Sequence, residues 1–193
     1  MNKQDIISFF DNQAQFWDAQ QIRNEEIIDI ILCKGGVREG VSVLDVACGT
    51  GVLFSDYEKR RVSSVTAIDI SPEMVNAAKK KFPEYDIICA DAEDYCFGRT
   101  FDTVMIYNAF PHFSEPEKLI KNLAKSLNKG GRLSIAHGAS REEIEKCHSG
   151  IAKSVSLPLP CKEELAALIK PYFEVDIMIS DSHMYMVSGV RKL

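Results

Sequence analysis

The residues able to do chemistry fall into two groups along the chain. The first is Asp45, Gly49 and Gly51, followed 20 positions after Gly49 by Asp69. Glycine lets a backbone come close to a ligand that a Cβ would hold off. An acid at such a distance beyond a glycine loop is placed to accept both hydroxyls of a ribose. The second group is His112 and His137, then Arg141, Cys147, His148, Cys161 and His183. Imidazole is suited to take a proton near neutral pH. Ser140-Arg141-Glu142-Glu143 reads as a capping box, so a helix opens there and Arg141 and His148, seven apart, share a face. On that face Arg141 would grip an acid group of a substrate, with His148 beside it. Thiols and imidazoles also suit soft ions. Cys147 and His148 are neighbours that point apart on a helix, which is poor chelate spacing, so no metal is expected.

For these groups to meet, the chain must place them at the ends of strands. Residues 25–33 (EEIIDIILC) set Ile27, Ile28, Ile31 and Leu32 at helical spacing, and Gly35-Gly36 stops that helix. Short apolar, β-branched runs at 41–47, 65–70, 86–90, 101–107 and 132–137 read as buried strands. Helices fall between them. One follows Gly51. The next opens at Ser71-Pro72-Glu73, with Met74, Ala78 and Phe82 as its stripe. A third begins at a capping box, Ser114 to Glu117, carries Leu119, Ile120, Leu123 and Leu127, and ends at Lys129-Gly130-Gly131. This alternation argues for a parallel sheet with helices on both faces. After an amphipathic helix at 162–172, the runs 174–180 and 183–190 lie too close for a crossover. They must pair as a hairpin, so the sheet ends with one antiparallel strand. The expected fold is α/β, a Rossmann-like doubly wound sheet in three layers, mostly parallel with one antiparallel strand near the C-terminus.

The glycine loop sits where the first strand turns into a helix, and Asp69 closes the second strand. Two nucleoside cofactors use this layout. A dinucleotide needs G-x-G-x-x-G, and here Phe54 stands where the third glycine would be. The loop also starts at Asp45, whose charge would repel a pyrophosphate and face a cation. S-adenosylmethionine carries a sulfonium and an α-ammonium and no phosphate, so the charge logic favours it over NAD.

VLDVACGTG (43–51) and AIDISPEMV (67–75) resemble the first two motifs of the class I S-adenosylmethionine-dependent methyltransferases. Asp91-Ala92-Glu93 is similar to the family's adenine segment, FDTVMIYNAFPHF (101–113) to its fourth-strand motif and LNKGGRLSIAH (127–137) to its fifth. Phe9-Phe10-Asp11 and Phe16-Trp17-Asp18 resemble the N-terminal cap of the ubiquinone/menaquinone-biosynthesis group. The resemblance implies that Asp45, Ala47, Gly49 and Gly51 hold the methionine end and Asp69 the ribose. It implies that Ile70 and Met74 pack on the adenine, that Asp91 and Ala92 address its ring, and that Asn108 faces the methionine end. Asp45 as a structural cap, Met74 as plain core and Asp91 as a turn residue are the alternatives.

Transfer of an activated methyl group needs a positioned nucleophile and at most one general base. Pockets in such sheets lie beyond the carboxyl ends of the strands, which puts His112 and His137 near the reaction as bases or as structural histidines. Phe16, Trp17, Arg141 and His148 are the expected substrate contacts. A thiol or metalloid acceptor, or a cofactor-holding module without catalysis, are the competing readings. The chain has 193 residues, 46% hydrophobic and 26% charged, which fits one domain with a full core. We divide it into a helical cap (1–40), a cofactor core (41–137), a substrate-side insertion (138–160) and a helix with terminal hairpin (161–193). The net charge of −5 lacks the basic footprint of a nucleic-acid binder. No run is long and apolar enough to span a bilayer, the N-terminus lacks a signal-peptide pattern, and the six cysteines contain no C-x-x-C pair. A cytoplasmic monomer or homodimer with a small-molecule substrate is expected, releasing S-adenosylhomocysteine.

Overall fold

Strands form where short apolar runs are covered on both faces. The computed structural model describes residues 1–148 and 150–192 and contains, among them, β1 (Ser42–Val46), β2 (Ser64–Asp69), β3 (Asp86–Cys89), β4 (Phe101–Tyr107), β5 (Leu127–His137), β6 (Phe173–Ser180) and β7 (Tyr185–Arg191). Ser149 and Leu193, which belong to the expected insertion and hairpin, lie outside the described residues. The strands form one sheet in the order β3-β2-β1-β4-β5-β7-β6. β1 to β5 pair in parallel, and β7 runs antiparallel to both β5 and β6. This is the doubly wound sheet the alternation implies, with one difference. The antiparallel strand is not at the edge. β7 inserts between β5 and β6, and β6 becomes the edge.

Two helical layers cover the sheet. α3 (Glu25–Lys34), α4 (Phe54–Lys59) and α5 (Pro72–Lys81) bury Ile31, Leu32, Phe54, Tyr57 and Ala78 against one face. α6 (Pro116–Lys125) and α8 (Lys162–Ile169) bury Leu119, Leu123, Leu165 and Ile169 against the other. Each fully buried aliphatic side chain of this kind stabilises the fold by about 1.5–3 kcal/mol. α1 (Lys3–Gln13), α2 (Trp17–Gln20), α7 (Arg141–His148) and 3-10 turns at Phe110–His112 and Ile151–Val155 lie beyond the carboxyl ends of the strands or at their flanks.

The caps show which local signals decided the elements. Ser71 accepts from Met74 N at 3.1 Å with Pro72 at the first helical position, and Gly35 N donates to Ile31 O at 2.7 Å. Ser140 and Glu143 exchange hydrogen bonds as a capping box, Ser140 N to Glu143 Oε2 at 3.0 Å and Glu143 N to Ser140 Oγ at 3.2 Å. Two expectations fail. Ser114 does not cap α6; its hydroxyl and Glu115 N both turn to the Glu93 carboxylate. Gly130 and Gly131 do not end a helix either. α6 stops at Lys125, and Leu127 already pairs with Phe101 in the sheet. Asn128 Nδ2 donates to Asp102 Oδ1 at 2.8 Å, which draws this segment into β5. Gly130 (φ +74°) then takes up the irregularity within the strand.

Candidate functional site

β1 ends at Val46, and the chain turns sharply at once. Ala47 (φ +57°), Gly49 (+54°) and Gly51 (+86°) all lie in the left-handed region. The turn is closed by Gly51 N donating to Cys48 O at 2.9 Å, and it is fixed to the next strand by Cys48 N donating to Ile68 O at 3.2 Å. Gly49 N donates to Asp69 Oδ2 at 2.8 Å, and Ser71 N to Asp69 Oδ1 at 2.9 Å. The acid that ends β2 therefore organises the loop after β1. Burial pushes the Asp69 carboxyl up to about 6, against the pull of the N–H donors of Ser71, Gly49 and Ile70; the Asp11 charge adds to the rise.

Asp45 lies one layer below. It points to the α4 side of the sheet, and its Oδ2 and the Tyr57 hydroxyl are buried without a hydrogen-bond partner. Burial pushes its carboxyl up to about 8, eased by the nearby Tyr57 hydroxyl and reinforced by the charge of Asp69. A buried carboxylate oxygen with no protein partner is a costly arrangement. It fits a cationic ligand at the loop above.

The cleft over these loops is lined by Trp17, Ala47, Gly49, Asp69, Ile70, Met74, Asp91, Asn108 and His112 among the residues expected from the sequence. The remaining candidates lie elsewhere. Asp45 and Gly51 sit behind the loop, and Ala92 is buried in the core next to Asp91. Phe16 is half exposed, because neighbours on a helical turn point apart and Trp17 takes the inward place. Trp17 faces Gly49: a Cβ added there would meet only the indole Nε1, at 3.6 Å. Arg141 does not reach the cleft. Its guanidinium donates to Leu159 O at 3.1 and 3.2 Å and pairs with Glu145 at 2.6 Å.

The histidines gather on the opposite side of the sheet from Asp45. His112 lines the cleft, with its ring 4.9 Å from Phe10 and 5.0 Å from His148. Burial lowers His112 to about 4, opposed by its bond to Val155 O; the nearby His148 adds to the fall. His137 is buried beneath, 6.1 Å from the Tyr185 ring, and its Nε2 has no partner. Burial lowers it to about 3, with His148 and His112 adding to the fall. Both are neutral at neutral pH. No group of three or more His, Cys, Asp or Glu side chains arranged to hold a metal occurs among the described residues.

The sequence analysis missed how the cap is fastened. Lys3 pairs with Asp91, without which that carboxylate would face the cleft alone, and with buried Glu93 at 2.6 Å. Asp11 Oδ1 accepts from Ser71 Oγ at 2.5 Å and Glu73 N at 3.1 Å. Asp18 accepts from Thr50 Oγ1 at 2.5 Å and Lys81 at 2.7 Å. The three cap residues thus hold the loops after β3, β2 and β1. Asp11 and Asp18 were within quoted motifs; no local signal marks Lys3, whose partners are 88 or more positions away.

Residues 43–131 match the family model described as a methyltransferase domain. Over that stretch, a little under half of the chain, the sequence carries a methyltransferase domain. A malonyl-[acyl-carrier protein] O-methyltransferase of Priestia megaterium is 29% identical over 166 residues, covering 81% of this chain and 60% of that protein. The chain thus spans about three-fifths of that relative, and 49% of a second one with the same description from Anoxybacillus flavithermus. Two solved structures share the fold of this chain. One is a protein in complex with the Haloferax volcanii Trm112 methyltransferase activator, with TM-score 0.79, 20% identity and coverage of 95% of this chain and 98% of that one. The other is magnesium protoporphyrin IX methyltransferase from Synechocystis, with TM-score 0.73, 16% identity and coverage of 98% and 99%. Among the described residues, no helix is long and apolar enough to cross a membrane.

Proposed function

We propose that this chain transfers a methyl group from S-adenosylmethionine to a small-molecule acceptor. The observation that carries the reading is the bond from Gly49 N to Asp69, which fuses the glycine loop and the acid at the end of β2 into one ligand-facing surface. In this reading the backbone of Ala47 and Gly49 cradles the methionine end, with Gly51 closing the turn behind them, and Asp45, beneath the loop, supplies the negative charge that a cation needs. Asp69 takes the ribose hydroxyls with the lone pairs its N–H donors leave open. Ile70 and Met74 pack on the adenine, and Asp91, with Ala92 behind it, addresses the adenine edge. Asn108 holds β5 to the site, accepting from Gly138 N at 2.9 Å. When bound, S-adenosylmethionine supplies an activated methyl group and leaves as S-adenosylhomocysteine.

The chain's own part is to position the acceptor, exclude water and receive a proton. The cap excludes water, with Ile6, Phe10 and Trp17 in the cleft wall. His112 receives the proton, because it is the histidine that lines the cleft. His137 and His148 support it from behind. A small acceptor agrees with a cleft roofed by α1 and with Asn108-Ala109-Phe110-Pro111 in place of the Asp/Asn-Pro-Pro-aromatic run of nucleic-acid amino-methylating enzymes.

The test is calorimetry with S-adenosylhomocysteine and with NAD, then an assay of S-adenosylhomocysteine release against pooled metabolites. Binding of the first and not the second is expected. His112→Ala should then lower release at least ten-fold with homocysteine-ligand affinity nearly unchanged, and His137→Ala should lower it less. NAD binding in place of the expected ligand would overturn the reading.

A further inference from the structure

The cleft is an acidic place. Its lining includes the carboxylates of Asp69, Asp91 and Glu93, and Lys3 is its one lysine or arginine among the described residues. That ammonium is already paired with Asp91 and Glu93. The other cations close by are also engaged. Arg23 is held by Glu25 and Asp56, and Arg141 by Glu145 and the Leu159 carbonyl. Among the described residues of the cleft, an anionic acceptor would find no lysine or arginine left unpaired to receive it.

The neutral end of the cleft has a defined polarity at His112. Nδ1 lies 2.9 Å from Val155 O, which can only accept. It also lies 3.2 Å from Ser156 Oγ, and that hydroxyl donates its proton to Ala152 O at 2.8 Å. Both neighbours of Nδ1 are therefore acceptors. Nδ1 must carry the hydrogen, and in a neutral ring this leaves Nε2 as a bare lone pair. The segment that imposes this is itself tied to the histidine's loop, by Leu157 N donating to Pro111 O at 2.7 Å. Phe10 and His148 stand edge-on to the ring, and Phe113 is another residue of the cleft.

We propose that the acceptor is an uncharged molecule with an apolar or aromatic body and a hydroxyl that donates to His112 Nε2, and that Ser156 is the positioning residue that holds His112 in the Nδ1–H tautomer. This rests on the methyl-transfer reading for the meaning of the site, though the tautomer itself does not. An acceptor carrying a free carboxylate would lack an unpaired side-chain cation among the described cleft residues.

Nitrogen-15 NMR of the histidine side chains tests both parts, using the full chain saturated with S-adenosylhomocysteine, with phenol and benzoate as probes. His112 should show a protonated Nδ1 and an unprotonated Nε2, with or without ligand. Phenol should move the Nε2 signal of His112, and benzoate at equal concentration should leave it in place. Ser156→Ala should lower the tautomer ratio roughly five-fold, the effect of losing one neutral hydrogen bond, and Ser156→Thr should restore it. A protonated Nε2 in the native protein would overturn the tautomer, and a ratio unchanged in Ser156→Ala would overturn the positioning role of Ser156. Benzoate moving the signal as far as phenol, or phenol leaving it unmoved, would overturn the acceptor class. If S-adenosylhomocysteine itself does not bind, the methyl-transfer reading fails, while the tautomer is still measured on the free protein.

Discussion

Gly49 and Gly51 share a loop and a backbone conformation, yet alanine should act on them in opposite ways. At Gly49 (φ +54°) a Cβ would meet only Trp17 Nε1, at 3.6 Å, an ordinary contact. Folding should suffer only the cost of a left-handed alanine, about 1–2 kcal/mol. In a chain of this size that lowers Tm by roughly 2–8 °C. The new methyl would, however, stand between the loop and Trp17, inside the cleft. We expect S-adenosylhomocysteine to bind at least ten-fold more weakly, about 1.4 kcal/mol. At Gly51 (φ +86°) a Cβ would lie 2.8 Å from Phe54 Cδ2 and 3.2 Å from Phe82 Cδ2. Phe54 is fully buried and cannot withdraw. Overpacking adds about 1–3 kcal/mol to the same backbone cost, giving about 2–5 kcal/mol in all. Thermal unfolding and calorimetry on the two variants decide the matter. If Gly49→Ala binds within two-fold of the native protein, the cleft is not where the ligand lies; if it is as destabilised as Gly51→Ala, the packing difference between the two positions is refuted.

Two further outcomes follow from the buried charges. Asp45 is held up to about 8, so the folded protein keeps a proton that the unfolded chain gives up near pH 4, and its share of stability is lost as pH rises through that interval. Asp45→Asn should therefore raise the Tm of the ligand-free protein at pH 8 while weakening S-adenosylmethionine binding, and calorimetry in buffers of different ionisation enthalpy should show proton release on binding only in the native protein. Lys3→Met should speed amide exchange in α1 roughly five-fold, matching a partly exposed pair of about 1 kcal/mol; exchange unchanged from the native protein would mean that the hydrophobic contacts of α1 hold the cap alone.

The sheet was legible in the sequence because its signals are local: apolar runs of strand length, the Ser71-Pro72 start, the Gly35 stop. The same holds for the loop and Asp69, whose spacing is set by one strand-helix-strand unit. What was not legible depends on distant partners. Gly130-Gly131 reads as a helix stop until Leu127 is known to pair with Phe101. Ser114 reads as a cap until Glu93 is known to lie beside it. Arg141 reads as a free cation on a helix face because nothing local reveals the Leu159 carbonyl behind it. His112 and His137 both follow strands, and only the fold shows that one lines the cleft and the other is buried beneath it.

The placement of β7 bears on how the molecule comes together. Residues 185–191 fill a gap between β5 and β6, so neither of those strands has its partner on that side until this segment arrives. β6 and β7 meet as a hairpin, 5 to 18 positions apart, whereas β5 and β7 pair across 48 to 58 positions and β1 and β4, beside the glycine loop, across 60. Loop closure over long separations is the slow part of assembling a sheet. Removing 185–191 would leave two bare strand edges side by side, the kind of surface that invites aggregation.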